Sequence, residues 1–120
     1  MKLTPLLAPL ALAACTSVVA APTRPAGFGQ VMAAESLRVR PLALLEDSRC
    51  PAAAQCVWAG QVRIRAEISS ATGREVRELT SGKPITVAGG ALTLVTVEPP
   101  KMASGTTDSR RYRFTFRFER

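Results

Sequence analysis

Apolar and polar residues alternate one for one through much of this chain. At its end Tyr112, Phe114, Phe116 and Phe118 alternate with Arg111, Arg113, Thr115, Arg117 and Glu119. Successive side chains of an extended backbone point to opposite sides, so this spacing predicts a strand with an aromatic inner face and a charged outer one. Val62, Ile64, Ala66 and Ile68 repeat the pattern against Gln61, Arg63, Arg65 and Glu67, and Trp58 falls in phase with the inner set. Ser70-Ala71-Thr72-Gly73 then supplies a turn, and Arg74 to Thr80 reads as the returning strand of a hairpin.

Elsewhere the alternation breaks in informative places. Ile85 and Val87 lead into Gly89-Gly90, a two-residue hairpin signal. Leu92 and Leu94 share one phase while Val95 and Val97 share the other, which calls for a bulge or for cover on both faces. Leu37 and Val39 are out of phase with Leu42 and Leu44, and Pro41 sits at the break. Proline lacks the ladder donor, so this strand is expected at a sheet edge or bent there. Phe28 to Ala33 adds a short first strand, and Pro99 to Ser109 reads as a polar loop. No helical period lasts two turns within 28–120. The expectation is an all-β domain, a small antiparallel β-sandwich of six or seven strands, with a small barrel as the alternative.

Residues 1–21 are of another kind. Lys2 is followed by an apolar stretch from Leu3 to Leu12, interrupted by Thr4, Pro5 and Pro9. Prolines and a tail of small residues suit an export signal better than a membrane-spanning helix. Leu12-Ala13-Ala14-Cys15 resembles the lipobox of bacterial lipoprotein precursors. That resemblance implies cleavage before Cys15 and attachment of a diacylglycerol to its thiol. It implies acylation of the new amine and, with Thr16 rather than aspartate next, the periplasmic leaflet of the outer membrane. Two or more acyl chains anchor firmly where one holds marginally. Cleavage after Ala20, behind Val18-Val19-Ala20, is the alternative; it would discard Cys15 and release a soluble periplasmic protein. The expected organisation is a signal peptide at 1–14, a lipidated cysteine and flexible tether at 15–27, and a folded domain at 28–120.

With Cys15 carrying lipid, Cys50 and Cys56 remain as a pair. Thiols exported to an oxidising compartment tend to join, so a structural disulfide is expected. Closing so short a loop stabilises by about 2–3 kcal/mol. Redox or metal use of the two thiols is the alternative, although C-x-x-C spacing or further ligands would be expected for it.

These cysteines lie within Asp47-Ser48-Arg49-Cys50-Pro51, Ala52-Ala53-Ala54-Gln55 and Cys56-Val57-Trp58-Ala59-Gly60. The stretch resembles a family of small bacterial exported proteins and lipoproteins with a DSRCP…C-[VI]-W-A-G signature. The likeness is strong over 47–60 and loose around it, and it implies no activity. Taken residue by residue, Asp47 and Ser48 suit a turn by bonding amides just ahead. Arg49 has Asp47 or Glu46 to pair with, Trp58 is placed to pack beside the disulfide, and Gly60 permits a bulge or the close approach of another strand. A stapled loop on a sheet is also a recognition surface, with Asp47, Ser48, Arg49 and Trp58 as candidate contacts.

Charge narrows the partners. The 120 residues hold 16 Lys+Arg against 9 Asp+Glu and no histidine. Removing 1–14 takes away only Lys2. Arg63, Arg65, Arg111, Arg113 and Arg117 form one basic face if their strands share a sheet. Outside the cytoplasm such a face meets an envelope protein or an anionic envelope polymer, because guanidinium suits phosphate and carboxylate. Its other reading is a solvated face that covers apolar neighbours and deters edge pairing. Nucleic acid is not an expected partner, because no aromatic residue interleaves the outward arginines.

Catalytic patterns are missing. A chain without histidine has no Ser-His-Asp or Cys-His machinery. Gly82-Lys83-Pro84 lacks the glycine spacing of a phosphate loop, and Glu75 and Glu78 fall on opposite sides of a strand. No catalytic residue, metal ligand set or cofactor is expected. The sequence is read as a non-catalytic, lipid-anchored envelope domain that binds another envelope component. A small inhibitor or ligand-binding module using loop 47–60 is the alternative.

Overall fold

The computed structural model describes residues 2–5, 8–12, 23–51, 54–102 and 106–120. Cys15 and the alternative cleavage site at Ala20 lie outside them. No helix among the described residues is long and apolar enough to cross a membrane. Seven strands form two antiparallel sheets: β1 (Met32–Ala34), β2 (Leu37–Asp47), β3 (Val62–Ser70), β4 (Gly73–Thr80), β5 (Ile85–Val87), β6 (Gly90–Glu98) and β7 (Arg113–Glu119). One sheet runs β1-β2-β3-β4 and the other β5-β6-β7, and they do not close into a barrel. The fold is the expected sandwich.

The cleanest alternations make the core. Val62, Ile64, Ala66 and Ile68 of β3 face Tyr112, Phe114, Phe116 and Phe118 on and beside β7, all of them buried. Leu37 and Val39 of β2 and Leu92 and Leu94 of β6 fill in beside them. Phe28 meets Phe114 and Tyr112 edge-on, with ring centres 5.1 and 5.9 Å away. It therefore serves the core from the chain that leads into β1, a strand that starts four residues later. Ala26 exchanges two backbone hydrogen bonds with Phe114, of 3.0 and 2.9 Å, and is itself buried. A single backbone bridge thus forms upstream of Phe28, within the stretch read as tether.

Each break in phase has a local cause. In β6 a register shift between Leu94 and Thr96 turns Val95 outward, which is the bulge that the pattern required. In β2 the register shifts twice, between Pro41 and Ala43 and again between Leu44 and Glu46, and the first break falls at the proline. Yet β2 is an interior strand, not an edge. Proline is accommodated because β1 pairs only with Leu37 to Val39, leaving that side of Pro41 without a neighbouring strand. The carbonyl of Pro41 accepts from the Gly29 amide at 2.8 Å instead.

The β5–β6 turn sits one residue earlier than the glycine pair implied. Val87 pairs with Gly90, so Ala88 and Gly89 are the turn residues, both at positive φ (48° and 77°). Such a turn matches the twist of its flanking strands. Gly90 is needed for a different reason: a Cβ there would meet the Phe118 ring and the Glu119 carbonyl at 2.6 Å.

Candidate functional site

The connection from β2 to β3 leaves the sheet at Asp47 and returns at Val62. Its two arms stay paired beyond the strands: Ser48 donates its amide to the Gln61 carbonyl at 2.9 Å, and Cys50 donates to Ala59 at 3.1 Å. The Ser48 hydroxyl accepts from the Gln61 amide at 3.1 Å. Gly60 makes this close pairing possible. It sits at φ 70°, and a Cβ at that position would lie 1.8 Å from the Ser48 carbonyl oxygen. Further out, Cys50 and Cys56 are joined to each other in the expected disulfide.

At the base of the loop Asp47 holds three side chains together. Its carboxylate accepts from Arg49 Nε and Nη2, both at 2.9 Å, a two-pronged ion pair. It also accepts from the Tyr112 hydroxyl at 2.7 Å, across the sandwich. The Asp47 carbonyl takes the Lys101 ammonium at 2.7 Å. Arg49 reaches on to the Val97 carbonyl with Nη1 at 3.0 Å, tying the loop to β6. Asp47 and Arg49 keep only 9% and 19% of their side chains exposed. The Arg49 guanidinium, against the opposing cost of burial, holds the Asp47 carboxyl down at about 2, with Tyr112 assisting. Arg49 is raised in turn, chiefly by Asp47. Burial first, then the Asp47 carboxylate, raises the Tyr112 phenol, which stays a neutral donor.

Thus Asp47, Ser48 and Arg49 are brought together, but as the mounting of the loop. Arg49 pairs with Asp47 and not with Glu46, whose carboxylate takes Gln61 Nε2 at 2.8 Å. Trp58 departs from the packing expected of it: 81% exposed, beside Val57 at 92%, it stands in solvent. The alternation that placed Trp58 in the core begins only at Val62, and the turn through Gly60 breaks its phase.

The five arginines do not make one face. Arg63 and Arg65 lie on β3, whereas Arg113 and Arg117 lie on β7 of the other sheet, and Arg111 is in the short 3-10 helix Ser109–Arg111 before it. Outward residues of two packed sheets look in opposite directions, so the sets cannot merge. Arg63 meets Glu78 at 2.8 Å and Glu46 at 3.9 Å. Arg117 pairs with Glu119 at 3.0 Å, and Arg113 donates to the carbonyls of Arg110 and Tyr112. Arg38 and Arg40 of β2 join Arg63 and Arg65 instead, interspersed with Glu46, Glu67 and Glu78.

Tyr112 and Lys101 are the members of the loop base that sequence reasoning missed. Tyr112 carried a signal only for the core, and nothing in spacing links it to a residue 65 positions earlier. No group of three or more His, Cys, Asp or Glu gathers to hold a metal among the described residues. Compared with protein-family models, curated proteins and solved structures, the chain finds no match.

Proposed function

We propose that this chain is a lipid-anchored, non-catalytic binding module of the cell envelope, with loop 47–60 as its recognition surface. The observation that carries this reading is the exposure of Trp58 on a loop fixed at both ends. A large apolar side chain standing in water is unusual when its backbone has no freedom to fold it away. Here the disulfide closes the outer part, and the Asp47–Arg49–Tyr112 cluster bolts the inner part to both sheets. A rigid aromatic anchor binds with little loss of side-chain freedom. The lipobox resemblance at Leu12 to Cys15 supports the envelope location, as does a disulfide that needs an oxidising compartment. The likeness to exported proteins with the DSRCP…CVWAG signature points the same way.

The test has two parts. The mass of the mature protein should correspond to an N-terminus at Cys15 carrying diacylglycerol and a further acyl chain; an unmodified N-terminus at Ala21 overturns the anchor. Crosslinking from Trp58 in intact cells should capture an envelope component, and capture should be unaffected by Arg117→Gln on the far face. Crosslinks that form from Arg117 and not from Trp58 would move the recognition surface elsewhere.

A further inference from the structure

The two ends of the sandwich differ in chemistry. One end bears the connections 48–61, 81–84 and 99–112, since Ser81 bonds the Val62 carbonyl at the start of β3 and Glu98 pairs with Arg113 at the start of β7. The other bears the tight turns Glu35–Ser36, Ala71–Thr72 and Ala88–Gly89. Exposed large apolar side chains stand in the connections of the first end, at Val57, Trp58 and Met102, and in none of those three turns. Among the described connections of the first end Arg49 and Arg110 pair with Asp47 and Asp108 and Lys101 bonds the Asp47 carbonyl, which leaves Lys83 and Arg111 as exposed cations with no acidic residue beside them in those connections. The three turns carry only Glu35.

We infer that the loop end settles onto an anionic lipid surface, with Trp58 and Val57 entering the headgroup layer and the surrounding cations over the lipid phosphates. This rests on the reading of loop 47–60 as the recognition surface and names what it recognises. Tryptophan suits that layer because its ring is apolar and its indole N–H still finds acceptors there. Each Lys or Arg close to an anionic surface adds attraction of about 1 kcal/mol. Chain length agrees: ten residues separate Cys15 from Ala26, a reach of at most about 35 Å. Ala26 is bridged to Phe114 beside the same end, so an anchored domain stays within reach of the bilayer.

Purified mature protein is titrated with phosphatidylglycerol vesicles and, separately, with phosphatidylcholine vesicles. Trp58 is the only tryptophan, so intrinsic fluorescence reports on this one side chain. With phosphatidylglycerol its emission should move to shorter wavelength and be quenched by brominated acyl chains. In unacylated protein the Lys83→Gln/Arg111→Gln variant should need roughly tenfold more lipid or beyond for the same change at low salt, and in acylated protein, which the anchor already holds on the vesicle, it should show a smaller shift. Emission that stays unmoved and unquenched overturns the inference. The readout follows Trp58 and not the attachment, so it decides equally for protein that proves to carry no acyl chain. A photo-crosslinker at Trp58 in cells separates the two readings. Lipid adducts support both. Protein adducts alone overturn the lipid surface and leave the loop as a recognition site, and no adduct of either kind overturns both.

Discussion

Asp47 is the residue on which most depends. Its carboxylate gains Arg49 and Tyr112 on folding, and its folded pKa of about 2 lies below the ordinary 3.8. The stability this contributes is fully present above the unfolded value and is lost as pH falls through the folded one. Equilibrium unfolding should therefore show a loss on the order of 2 kcal/mol between about pH 4 and pH 2. The Asp47→Asn variant should be destabilised at neutral pH on the order of the same 2 kcal/mol, since Arg49 loses its charged partner, and should lack that acid transition. Gly60→Ala is expected to cost several times the ~1 kcal/mol of a typical point substitution, measured by denaturant midpoint, because the added methyl collides with backbone and not with a movable side chain. Trp58→Ala should leave the midpoint within about 0.5 kcal/mol while abolishing capture by a crosslinker placed at the neighbouring Val57, the split expected of a binding side chain.

At the scale of elements, what could be foreseen tracks how far the period of two runs uninterrupted. The third and last strands announced themselves because one face of each is buried along its length, and a one-residue slip would put isoleucine or phenylalanine into water. Trp58 was misplaced by the same logic carried too far, since periodicity does not say where a strand begins. The break at Pro41 was legible, but its place inside the sheet was not, because that depends on how short β1 is. Within the loop, reduction of the Cys50–Cys56 bond should lower stability by about 2 kcal/mol and speed amide exchange at 50–60. Exchange in β3 should rise only by the factor that this loss of global stability sets, because the Ser48–Gln61 and Cys50–Ala59 pairs carry the ladder to the base of the loop.

Taken whole, the molecule separates what its sequence places side by side. Arginines that share a composition are divided between two outer faces, and the division is a matter of topology that no spacing encodes. The loop base is hidden for a similar reason: Asp47 meets Tyr112, Arg49 meets Val97 and Lys101 meets Asp47 across long stretches of chain. One contact here reaches beyond the folded state of a single copy. β7 is the outer strand of its sheet, and the bridge from Ala26 occupies its edge at Phe114. Trimming the polypeptide behind Gly27 would free the Phe114 N–H and C=O on that edge, backbone groups able to pair with another copy. Such clipped material should sediment as paired copies under conditions in which uncut protein shows no such species, a comparison that sedimentation velocity makes directly.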